Sequence, residues 1–134
     1  MHVLTQIVLV AVGGALGSLL RWGVGLAFGR LFGQAFPWGT FFINISGSLF
    51  LGWFTTMLEQ HLFGDWIDDR ALRLLIAIGF TGGYTTFSTF EYESYKLVQD
   101  GGLAGPTYMA GSVFLGLLAV EFGVYLARIG RDVP

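Results

Sequence analysis

Asn44 stands in an apolar run, residues 37–58, that holds no charged residue. An amide at membrane depth is costly unless it finds partners. Residues four apart share a helix face, so Thr40, Asn44 and Ser48 form one polar stripe. Tyr108, Ser112 and Gly116 repeat the spacing in a later apolar run, and Phe87 and Phe90, three apart, also share a face. Together these residues offer hydrogen-bond donors and aromatic rings whose edges carry positive partial charge. No Asp or Glu lies in the central part of any apolar run. Donors without fixed acids suit an anion, and Arg21, well inside the first run, suits the entrance to such a path. A competing reading has the hydroxyls bonding back to their own helices, Asn44 gluing two helices together, the rings facing lipid and Arg21 snorkelling to the headgroups.

The elements that must hold these groups are membrane helices. Hydrophobic residues make up 54% of the chain and charged residues only 12%. Soluble domains carry roughly 25% charged residues, so the natural solvent here is a bilayer. The net charge of -2 supplies no basic patch for nucleic acid. There is no Cys, and His2 and His61 stand apart with no ligand cluster. Disulfides, thiolate chemistry and zinc sites built on Cys are excluded, and an enzyme is the least expected reading.

Spanning a bilayer takes about 20 mostly apolar residues. Four segments qualify, at about residues 3–28, 37–58, 74–95 and 103–129, within one domain covering residues 1–134. Residues 1–9 hold no Lys or Arg, so the first segment is expected to be a retained helix rather than a cleaved signal. Trp38, Trp53, Trp66 and Tyr95 fall toward span ends, as interfacial aromatics do. Small residues recur four apart at Gly13 and Gly17, Gly14 and Ser18, Ser48 and Gly52, and Ser112 and Gly116. Such pairs let backbones approach closely in lipid. The echo of G-S-L-F-L-G at residues 47–52 in G-S-V-F-L-G at residues 111–116 suggests similar packing faces on the second and fourth helices.

The third segment is unusual. Residues 79–90 read G-F-T-G-G-Y-T-T-F-S-T-F. Gly82 and Gly83 each cost a helix interior about 1 kcal/mol against Ala. A mid-membrane break is expected over residues 82–85, with a glycine-permitted helix crossing as the alternative. Breaks at that depth occur where backbone is buried in protein or lines a cavity. With four spans, both termini and the middle loop share a side, which carries Arg70, Arg73, Arg128 and Arg131. The other side carries Arg30 and Lys96, with Arg21 if it snorkels that way. Loop aspartates such as Asp65 do little to orient a chain, so the bias is weak and insertion both ways is expected. Four helices enclose little space, so a homodimer, antiparallel if both orientations form, is the economical way to build a pathway.

The chain closely resembles the CrcB/Fluc fluoride channels along nearly its whole length. The resemblance rests on G-G-A-L-G-S-L-L-R-W at residues 13–22, P-W-G-T-F-F-I-N at residues 37–44 and G-G-Y-T-T-F-S-T-F at residues 82–90. It implies an all-α antiparallel, dual-topology homodimer in the inner membrane, with four helices per subunit and passive export of toxic cytoplasmic fluoride. Phe87 and Phe90 match ring edges that face fluoride, and Asn44 matches a pore asparagine. Thr40, Tyr108 and Ser112 fall on the polar track, and Arg21 matches an arginine near the aqueous entrance. The backbone carbonyls of Gly82 and Thr85 match a structural Na+ site at the dimer centre. Glu93 matches a family glutamate. Gly116 stands where the family can carry serine, and Glu91 where serine is often found.

A small multidrug-type proton-coupled exporter is the runner-up. Such proteins need a glutamate in the first membrane helix, and this first segment has Arg21 and no acid. A membrane scaffold would account for the small-residue pairs but not for the polar stripes.

Overall fold

The computed structural model describes residues 1–60 and 68–129. His61, Asp65, Trp66 and Arg131 lie outside the described residues. Among the described residues every regular element is helical, and none is a strand.

Helix α1 spans Val3–Phe32 and α2 spans Trp38–Glu59. A third helical path begins with α3, Asp69–Leu72, continues through a π-helix, Arg73–Thr81, and ends with α4, Gly82–Tyr84. After two extended residues, α5 spans Phe87–Gln99, and α6 spans Ala104–Ile129. Local chemistry sets the ends. The Asp68 carboxylate accepts the Arg70 amide at 2.9 Å, and the Thr86 hydroxyl accepts the Thr89 amide at 3.3 Å. Both satisfy donors that a helix start leaves open. Gly33, at φ 75°, ends α1, while Gly101 and Gly102, at φ 82° and 79°, make the turn into α6. Because Gly29 does not end the helix, α1 continues to Phe32 rather than stopping near Phe28.

Helices α1, α2 and α6 are each long and apolar enough to cross a membrane. At 30 residues, α1 is about 45 Å long, more than the roughly 30 Å hydrocarbon thickness. Large apolar side chains lie exposed along α1 and α6, among them Val12, Leu16, Leu19, Val113, Phe114 and Leu117. Burial is confined to a few residues such as Ile43, Phe54, Leu58 and Tyr108. An apolar exterior around a thin interior is what lipid as a solvent permits. The protein is a multi-pass integral membrane protein.

The helices pack in two main pairs, α2 with α6 and α1 with the π-helix. Both pairs rest on glycine. A methyl at Gly13 would meet the Leu75 carbonyl, and one at Gly17 the Phe80 carbonyl. Gly14 lies against Gly83. On the other pair, a methyl at Gly52 would meet the Val120 carbonyl, and one at Gly123 the Leu49 carbonyl. The echoed hexapeptides therefore share this work unequally. Gly52 is a close-contact position, whereas a methyl at Gly116 would find its nearest neighbour, Ser48 Oγ, 3.9 Å away. Gly123, outside the echo, supplies the second close contact.

Candidate functional site

Helical geometry stops at Tyr84. Thr85 (φ -78°, ψ 160°) and Thr86 (φ -150°, ψ 120°) are extended, and helix resumes at Phe87. Gly82, by contrast, has ordinary helical dihedrals of -64° and -34°. The interruption thus lies at Thr85 and Thr86, overlapping the expected 82–85 stretch only at its last residue. Gly83 serves instead as a contact, since a methyl there would lie 2.5 Å from the Gly14 carbonyl.

Two side chains from other helices satisfy the interrupted backbone. Asn44 grips Thr86 twice: its Nδ2 donates to the Thr86 carbonyl at 3.0 Å, and its Oδ1 accepts the Thr86 amide at 2.9 Å. Arg21 Nη1 donates to the Thr85 carbonyl at 3.1 Å. Ser18 Oγ reaches the Gly83 carbonyl at 3.4 Å. Within the segment, the Thr85 hydroxyl donates to the Thr81 carbonyl at 2.9 Å. In a continuous helix the Thr86 amide would bond the Gly82 carbonyl four residues back. Here Asn44 takes that amide, which releases the Gly82 carbonyl from its helical partner.

Beside the interruption runs a groove of about 330 Å³ lined by Asn44, Ser48, Thr81, Phe87, Phe90 and Ser112, among others. No charged residue lines it. The structure therefore brings together the Asn44–Ser48 stripe, Ser112 and both phenylalanines. The Phe87 and Phe90 ring centroids are 5.9 Å apart, and Phe87 is 70% exposed. Ser112 Oγ is buried without a hydrogen-bond partner among the described residues. A buried polar atom ordinarily has one, so this hydroxyl is open to a ligand.

Thr40 and Tyr108 stand apart from that groove. The Thr40 hydroxyl donates to Glu93 Oε1 and the Tyr108 hydroxyl to Glu93 Oε2, both at 2.9 Å. Tyr108 is fully buried, with the Phe90 ring centroid 5.3 Å from its own. These two hydroxyl protons face a carboxylate that the two helical stripes alone do not reveal. A second cavity, about 380 Å³, opens beside Thr40 and Glu93 and is edged by Lys96 and Asp100. Ser46 and Tyr84 make another contact beyond sequence reasoning. Their hydroxyl oxygens are 2.9 Å apart, and Ser46 directs its own proton to the Phe42 carbonyl at 2.7 Å. Tyr84 therefore donates to Ser46.

A third cavity of about 570 Å³ lies between α1, α2 and the interruption, with Ser18, Arg21, Arg30, Gln34, Thr40 and Thr86 on its walls. Arg21 thus lines a polar recess while its guanidinium also holds the backbone at Thr85.

Residues 8–124 match the family described as CrcB-like protein, Camphor Resistance (CrcB). The chain is 44% identical over 126 residues to the fluoride-specific ion channel FluC 1 of Nitrobacter hamburgensis, covering 93% of this chain and 97% of that protein. It is 43% identical over 126 residues to the fluoride-specific ion channel FluC of Chloroflexus aurantiacus, with the same coverage. A FluC of Synechococcus sp. is 44% identical over 124 residues, covering 91% and 92% of the two chains. On the breadth of these matches, the chain belongs to the CrcB family.

Proposed function

We propose that this chain is a fluoride-selective channel that lets cytoplasmic fluoride leave the cell by passive diffusion. The observation that carries the reading is the uncharged groove, where Asn44, Ser112, Phe87 and Phe90 meet and the Ser112 hydroxyl has no protein partner among the described residues. Fluoride is small and strongly hydrated, so a selective path must replace its water with several donors at once. Ring edges and the Ser112 hydroxyl do this beside the interruption, while Asn44 keeps an N–H beyond the one given to Thr86. Thr40 and Tyr108 extend the track past Glu93, where their hydroxyls must turn from the carboxylate to meet an anion. Arg21 stands at the aqueous entrance.

The channel works as an antiparallel, dual-topology homodimer in the bacterial inner membrane. The third segment crosses the membrane broken near its middle, and the exposed Phe87 ring is completed by the partner copy. Na+ at the dimer centre is a further part of this reading. The released Gly82 carbonyl fits a hard oxygen-binding cation, and Gly82 lines the groove. The Thr85 carbonyl fits less well, since it already receives Arg21. Bound there, Na+ would supply charge that ties two copies together.

The test is flux from liposomes. Fluoride should pass and chloride should not, without a proton gradient. Phe87→Ile and Phe90→Ile should each lower fluoride flux by about tenfold or more, the loss of roughly 1.4 kcal/mol of ion stabilisation or greater, with the dimer intact. Equal passage of the two anions would end the selectivity claim. Unchanged flux in both variants would end the aromatic one.

A further inference from the structure

We infer that the two arginines of the α1 recess divide its work: Arg30 draws anions into the recess, and Arg21 positions the backbone of the interruption. The inference rests on the channel reading above, and on two observations about the arginines themselves. The first is that Arg21 is committed. Its Nη1 donates to the Thr85 carbonyl across a separation of 64 residues, at a backbone position that a helix would have satisfied internally. Removing it leaves that carbonyl without this donor. The second is that Arg30 is not committed. It lies in the last turn of α1, is exposed, and has no hydrogen bond or ion pair among the described residues.

Both arginines line the same recess of about 570 Å³, whose inner wall includes Thr40, Thr86 and Thr89. No acid lines it. Thr86 also lines the groove that holds Phe87, Phe90 and Ser112, so the recess and the groove share a wall at the interruption. A cation lining a recess raises the local concentration of anions there, and the Glu93 carboxylate behind Thr40 is already held by the Thr40 and Tyr108 hydroxyls. A guanidinium bonded to a carbonyl beside the interruption acts chiefly on geometry. Arg30 has an alternative employment, since a cation in the last turn of a helix offsets the macrodipole. That role would affect stability and not entry.

Ionic strength separates these roles. The wild type, Arg30→Gln, Arg30→Lys and Arg21→Gln are reconstituted in liposomes. Initial fluoride efflux is measured at low fluoride, so that entry limits the rate. Ionic strength is set equally on both sides with an impermeant gluconate salt. Arg30→Gln should slow efflux about two- to threefold at low salt, the worth of one unit charge several ångströms away in water. The deficit should vanish near 1 M salt, where the Debye length is about 3 Å. Arg30→Lys should match the wild type at both. Arg21→Gln should slow efflux to the same extent at both, because it disturbs geometry rather than field. An Arg30→Gln deficit that is absent at low salt, or equal at both salts, overturns the steering role. An Arg21→Gln deficit that disappears with salt overturns the division of labour. A wild type that passes no fluoride would refute the channel reading itself, which makes the two failures distinguishable.

Discussion

The α2–α6 pair and the α1–π-helix pair use the same device with opposite results. In each, glycines bring one helix onto the carbonyls of another: Gly52 and Gly123 in the first pair, Gly13 and Gly17 in the second. Helices α2 and α6 nonetheless run uninterrupted for 22 and 26 residues. The segment against α1 widens into a π-helix and then loses helical geometry at Thr85. Close approach alone therefore does not interrupt a helix. What differs is the supply of outside hydrogen bonds. The second region receives Asn44 and Arg21 at the residues where its own ladder fails. Within α2, hydroxyls such as Thr55 and Thr56 bond back to their own helix instead.

The largest effect should come from removing the outside supply. Asn44→Ala leaves both the amide and the carbonyl of Thr86 without this partner, at about 1–3 kcal/mol for each buried group. Thermal unfolding in detergent should shift down steeply, and fluoride flux should be lost. A variant as stable as the wild type would show that the interruption is held by something other than Asn44. A smaller loss should follow from filling the close approaches. Gly17→Ala and Gly123→Ala should each cost about 1–3 kcal/mol by overpacking. They should part on function. Gly17→Ala acts beside the interruption and should lower flux as well as stability, whereas Gly123→Ala should lower stability alone. Equal functional loss in both would erase the contrast between the two regions. The smallest effect belongs to Gly116→Ser, which should change stability by no more than about 0.5 kcal/mol, because the nearest heavy atom to its new Cβ is 3.9 Å away.

Much of this contrast could be read from residue types. The stripe through Asn44 pointed to a partner at depth, and the partner is Thr86. Gly13 and Gly17 marked a close face through their spacing, which helix periodicity makes visible. The position of the interruption was less legible. Paired glycines drew attention to Gly82 and Gly83, yet Gly82 is helical and Gly83 serves the contact with Gly14. A glycine is permissive for both a bend and a close crossing, and sequence does not say which is used. The extended residues are set by hydrogen bonds from side chains 42 and 64 positions away, which local propensity cannot report. Glu93 was hidden similarly. Sequence placed it only near the end of an apolar run, and only the fold brings Thr40 and Tyr108 onto its two oxygens. The π-helix carries a faint trace, the Thr81 hydroxyl donating to the Ile76 carbonyl five residues back, a spacing that matches its own ladder.

The grip of Asn44 on Thr86 also ties the third segment to a helix that precedes it in the chain. Bare peptide groups in hydrocarbon cost several kcal/mol apiece, and a chain entering the bilayer meets that cost segment by segment. Helices α1, α2 and α6 carry their own backbone bonds into lipid. The third segment does not, since Thr85 and Thr86 complete theirs only against Arg21 and Asn44. Both donors precede it in the chain, so they are already synthesised when it emerges. The first two helices thus supply the hydrogen bonds that complete the backbone of the third segment at Thr85 and Thr86.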